Sequence, residues 1–131
     1  MPALPWKNYE TVGADSESTV MASRLPLRSH LRIPAFLAAT VRIRRQLARS
    51  PGLLGYALKA QLGARTFWTV SAWKSRDDLD RFARSDPHAT DVDNIRANMD
   101  PTTFVFWTAR AGDLPISWDE VRRRIDQARP T

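Results

Sequence analysis

The residues best placed to do chemistry are one histidine and three side chains that alternate along an apolar run. His88 follows Asp86-Pro87, where the carboxylate can fix the imidazole tautomer and raise its basicity, as a general base requires. A surface or helix-capping histidine would look the same. Thr69, Ser71 and Trp73 are spaced two apart, which puts them on one face of a strand. There the two hydroxyls can hold a substrate oxygen while the Trp73 indole walls a pocket and stacks on a planar molecule, although core packing would use the same indole. His30 lies between Arg28 and Arg32, a cluster suited to an anionic group or to a solvated loop. Tyr56 and Asn94 are further donors that serve a pocket or the structure equally well.

Composition removes other chemistries. In 131 residues there is no cysteine and there are two histidines, which rules out a disulfide framework and a thiolate nucleophile and argues against a protein zinc site. No metal is expected. Glycine-rich phosphate loops, the G-x-S-x-G elbow and H-E-x-x-H are missing, so hydrolase and nucleotide-binding classes are disfavoured. The carboxylates Asp77, Asp78 and Asp80 read as a solvated helix start. No run of about 18 apolar residues occurs, and the first thirty residues lack a basic patch followed by an apolar stretch. The expectation is one soluble, cytoplasmic domain without a transmembrane segment.

Charge is unevenly spread. The total is +6, yet residues 18–76 hold nine Arg, two Lys and no acid, a net +11, against −2 in residues 1–17 and −3 in residues 77–131. Such a field suits nucleic acid, anionic lipid or an anionic cofactor, and it is equally explained by neutralisation across the fold or a dimer. The basic stripe Arg42, Arg45 and Arg49 has no interleaved aromatics, so no nucleic-acid partner is expected and membrane-surface contact would be weak.

The elements that must position these side chains follow from periodicity. Residues 1–17 mix Pro2, Pro5, Gly13 and acids without a period and read as an N-terminal arm with at most a docked Trp6 or Tyr9; the domain spans 18–131. Thr19–Leu25 suits a first strand ended by Pro26. From Ile33, the residues Phe36, Leu37, Val41 and Leu47 recur at helical intervals until Pro51-Gly52. Leu53–Leu62 and Thr66–Trp73 form a hairpin, with Leu54, Tyr56, Leu58, Ala60 and Leu62 on one face. Ser75 caps a second helix that buries Leu79, Phe82 and Ala83 and is broken by Pro87; a weaker helical segment spans Ala89–Met99. Thr102–Arg110 is a fourth strand, and Ser117 caps a terminal helix.

The order β-α-β-β-α-β predicts an α+β, ferredoxin-like split-βαβ fold, with a four-stranded antiparallel sheet, helices on one face and an added C-terminal helix. Both alternating sets of the later strands are apolar, Phe67 and Trp73 against Trp68 and Val70, and Phe104 and Phe106 against Val105 and Trp107. Both faces therefore want burial, and a homodimer with sheets packed face to face would supply it.

The run FWTVSAWKSRDDLDRFARSDPHA (Phe67–Ala89) resembles the strand-Trp-helix-Ser-x-x-His signature of the dimeric α+β-barrel, antibiotic-biosynthesis-monooxygenase-like superfamily. The preceding RIPAFLAATVRIRRQLARSPGLLGYALKA (Arg32–Ala60) is similar to its spheroidene monooxygenase branch. The resemblance implies a dimeric barrel and a monooxygenase-like protein acting on an apolar or aromatic small molecule. Thr69 occupies the place of the Asn that orients phenolic substrates in the cofactorless members; Phe82 and Val92 occupy the places of the Trp and iron-ligating His of the haem-degrading members. The spheroidene branch implies haem, with His88 as axial ligand and His30 at a propionate. Three readings follow: an oxygenase, with haem or without a cofactor; a non-catalytic dimeric binder of a hydrophobic ligand; and a basic surface for an anionic partner.

Overall fold

The computed structural model describes residues 3–85, 88–96 and 99–128, the side chains of 3–4 and 92–95 excepted. Five strands, β1 (Ala3–Asn8), β2 (Glu17–Pro26), β3 (Leu53–Gln61), β4 (Thr66–Trp73) and β5 (Thr103–Arg110), form one antiparallel sheet in the order β1-β3-β4-β2-β5. Helices α1 (Ile33–Ala48), α2 (Arg76–Arg84) and α3 (His88–Arg96) lie between β2 and β5 in the chain, and α4 (Trp118–Ala128) follows. From β2 to β5 this is the ferredoxin-like arrangement.

The local physics matches the sequence in most elements. Pro34 sits in the first turn of α1, where its missing N–H costs nothing. Ser75 Oγ accepts from the Asp78 amide, and Asp77 and Asp78 face the positive end of α2. Ser117 Oγ likewise accepts from the Glu120 amide at the start of α4.

Three expectations are corrected. The sheet has five strands, not four, because the N-terminal segment adds β1 to the free edge of β3. Pro5 is tolerated there because it lies within the register shift between Leu4 and Lys7 of an edge strand. Trp6 lies over Gly55 so closely that a Cβ on that glycine would stand 2.3 Å from its Nε1. Second, β3 carries an irregularity between Leu53 and Gly55, so Leu54 turns to the face opposite Tyr56 rather than sharing it.

Third, the helices are not all on one face. Val121 and Ile125 of α4 are fully buried against Val20, Ala22, Trp68, Val70 and Ala72, while Leu79 and Phe82 of α2 pack with Tyr56 and Trp73 on the other face. The apolar set Trp68, Val70, Val105 and Trp107 thus packs with α4 within the chain, whereas Phe104 and Phe106 on the other face stay exposed. Arg42 of the basic stripe is clamped on the buried Asp91 of α3 by two bonds of 3.0 and 2.8 Å; Arg45 and Arg49 are exposed. Among the described residues no helix is long and apolar enough to cross a membrane, and no cluster could hold a metal ion.

Candidate functional site

The sheet face toward α1, α2 and α3 is built in rows across the strands. Leu58, Thr69, Ser23 and Phe104 are register partners in one row, and Tyr56, Ser71, Met21 and Phe106 in the next. Because side chains alternate with a period of two, both rows point the same way. Above them the apolar stripe of α1, Phe36, Ile43 and Leu47, forms a roof with Phe82 of α2 and His88 of α3. Between floor and roof lies a cavity of about 270 Å³. Its exposed lining residues, Arg96, Thr102 and Phe104, mark the mouth; Tyr56, Leu47, Ser71 and Phe82 are buried.

The structure brings His88, Thr69 and Ser71 to this one cavity. The His88 ring packs on Phe82 with centroids 4.8 Å apart, and its Nδ1 lies 3.0 Å from the Ala83 carbonyl oxygen. A carbonyl can only accept, so in this geometry Nδ1 carries the proton and Nε2 keeps the lone pair. Burial holds the imidazole below its ordinary pKa; the Ala83 carbonyl and the Asp91 charge oppose that shift. His88 is therefore neutral near pH 7. Asp86, expected to orient the ring, lies outside the described residues, as does the Asn94 side chain. Asp91, one turn along α3, is the described carboxylate acting on His88.

Trp73 is fully buried behind the cavity wall rather than at its surface. Its rings lie 5.2 Å from Phe82, and its Nε1–H donates to Ser71 Oγ at 2.9 Å. This bond occupies a Ser71 lone pair and leaves the hydroxyl proton free to point into the cavity. Thr69 is bonded to Ser23 through their hydroxyls. His30 is not brought to the site: it lies exposed in a short 3-10 turn, His30–Arg32, and does not line the cavity.

Gln46 is the residue that sequence reasoning missed. Buried on the inner side of α1, it donates from Nε2 to the carbonyls of Phe82 (3.1 Å) and Ser85 (3.2 Å) and accepts from the His88 amide (2.8 Å). One side chain thereby ties the end of α2 and the start of α3 to α1. The available signal was a polar residue beside Leu47 on an otherwise apolar stripe.

Haem does not fit this geometry. One imidazole nitrogen is free to ligate, but a cavity of about 270 Å³ lies below the roughly 300–1,000 Å³ of ordinary small-molecule sites. A porphyrin does not fit between the floor rows and Phe36 and Phe82 as they stand, and no chemistry is routed through one.

The sequence profile of the antibiotic biosynthesis monooxygenase family matches residues 32–93, which run from the start of α1 into α3. No curated protein matches the chain. Among solved structures, one from Nitrosomonas europaea, named for antibiotic biosynthesis monooxygenases, superposes with a TM-score of 0.63 at 19% identity, over 77% of this chain and 95% of that one. A conserved protein from Methanosarcina mazei gives 0.64 at 14% identity, over 72% and 94%. SnoaB, a cofactor-independent oxygenase from Streptomyces nogalater, gives 0.55 at 18% identity, over 72% and 94%. These likenesses carry the fold, and the family profile seated on α1, the hairpin, α2 and the start of α3 shows that this stretch of the chain is similar to the antibiotic biosynthesis monooxygenase family.

Proposed function

We propose that the protein is a monooxygenase-like enzyme that oxidises an apolar aromatic molecule in the cavity beneath α1, with His88 as the proton acceptor. The observation that carries this reading is His88 itself: a neutral imidazole, its Nδ1 fixed by a carbonyl, lining an apolar cavity. Without a cofactor, the substrate must supply the electrons. A methylene activated by a conjugated aromatic ketone, as in an anthrone, loses a proton to Nε2, and the resulting carbanion transfers electrons to O2. One oxygen atom stays on that carbon as a ketone and the other leaves as water, so one CH2 and one O2 are consumed. The Ser71 hydroxyl, turned by the Trp73 indole, is the donor for the enolate oxygen that carries the developing charge.

The test is oxygen uptake with dithranol, an anthrone, by the wild type and His88→Ala. Wild-type uptake well above buffer, falling on the order of 100-fold or more in the variant, is expected. Equal rates for the two would remove His88 from the reaction. No acceleration by either would leave a small-molecule-binding protein of the same fold.

A further inference from the structure

The cavity holds one feature that an apolar substrate does not use. Among the described residues, its only charged lining groups besides the neutral His88 are Arg44 of α1 and Arg96 of α3, and no carboxylate lines it. Among the described residues neither arginine forms an ion pair. The two differ in setting. Arg96 is exposed at the mouth, where it can steer an anion inward; Arg44 is half-buried.

Arg44 is also held. Its Nε donates to the Tyr56 hydroxyl at 3.1 Å, and Tyr56 is buried and stacked on Tyr9 at 5.9 Å and 17°. Tyr9 directly follows β1, and its amide is fastened to the Leu54 carbonyl at 2.9 Å. Anchoring Nε on a neutral hydroxyl rather than a carboxylate leaves the cation uncompensated among the described residues and its two terminal nitrogens available. A planar fork next to apolar walls matches a carboxylate, because such bonds are charge-assisted and can be bidentate.

We propose that Arg44 is an anion subsite and that the ligand of this cavity is an aromatic carboxylic acid, held by its carboxylate at Arg44. The proposal rests on the cavity being the binding site, as the function reading above has it. Tyr56 is the positioning residue for the guanidinium, and the added strand β1, through Tyr9, backs it. Arg44 and Gln46 are two residues apart on α1 and so face opposite flanks of that helix. The carboxylate and the carbon presented to His88, which is bound by Gln46, are therefore at separate ends of the ligand.

The test compares two probes of one shape, 2-naphthoate and 2-naphthamide, by calorimetric titration of the full chain. The wild type should bind the carboxylate about tenfold or more tightly than the amide. Arg44→Gln should abolish that preference while naphthamide affinity is kept, Arg44→Lys should restore part of it, and Tyr56→Phe should weaken it with the charge intact. Circular dichroism of each variant checks the fold. Equal affinity of the wild type for both probes overturns the anion subsite and leaves the apolar cavity standing. A preference that survives Arg44→Gln but is lost in Arg96→Gln also overturns it. Failure of both probes to bind overturns the subsite together with the cavity reading.

Discussion

Gln46→Met is the perturbation that most sharply separates a positioned His88 from one that happens to line a cavity. Methionine has nearly the volume of glutamine, so no large void opens and the change is chiefly the loss of three hydrogen bonds. Each is worth about 1 kcal/mol net, and the three span α1, α2 and α3, which puts the loss near 3 kcal/mol. A small domain has roughly 5–15 kcal/mol in hand, so the variant should still fold. Urea unfolding followed by circular dichroism reads the difference directly, and the Tm should fall by on the order of 10 °C. The His88 amide, no longer bonded to Oε1, should exchange its hydrogen faster than in the wild type. A loss below about 0.5 kcal/mol, the range of ordinary surface changes, with exchange at His88 unaltered, would refute the role assigned to Gln46.

Other outcomes follow from the same geometry. With His88 in the proposed role of base and its pKa held below the ordinary value, oxygen uptake should stay level through pH 7 and fall only at a pH below about 6.5. The same group titrates higher in the unfolded chain, so the unfolded state binds more protons between the two values; stability should decline as pH drops through that window and be whole above it. Gly55→Ala places a Cβ 2.3 Å from the Trp6 indole, and displacing Trp6 should cost roughly 1–3 kcal/mol and free the β1 amides to exchange. Trp73→Phe removes the donor to Ser71 and leaves a void in the core; a loss of about 1–3 kcal/mol by urea unfolding, with oxygen uptake also reduced, is expected. Haemin titration should give no saturating Soret band that depends on His88, since the cavity is too small for the macrocycle.

Much of the fold was legible because its signals were local. The Ser75 and Ser117 caps, Pro34 in a first turn and the alternation along β4 each act within a few residues, and each element formed where its chemistry stood. What was not legible depended on distant partners. Pro2 and Pro5 made the N-terminal segment read as an arm; its role as an edge strand becomes visible only with the bare Gly55 surface that receives Trp6. The apolar second face of the sheet correctly demanded a cover, but nothing in the pattern of Val121 and Ile125 said that α4 would supply it. At the site, alternation put Thr69 and Ser71 on the cavity floor, and it put Trp73 on the same face without showing that packing on Phe82 would bury it behind the wall. His88 was found by residue type, whereas Gln46 escaped because a polar residue on an apolar stripe carries no mark of what it will bind. His30 stands apart from the cavity, exposed in its own short turn, because nothing in that turn packs toward the sheet face beneath α1.

The central claim is that the cavity beneath α1 presents His88 as a neutral base with Nε2 free. Nitrogen-detected NMR of the His88 imidazole across a pH titration, with and without 2-naphthoate, reads protonation, tautomer and ligand contact in one experiment. The account predicts a neutral ring protonated at Nδ1, a midpoint below 6.5, and an Nε2 resonance that moves on adding the ligand. A midpoint at or above 6.5, or an Nε2 resonance indifferent to the ligand, would contradict it.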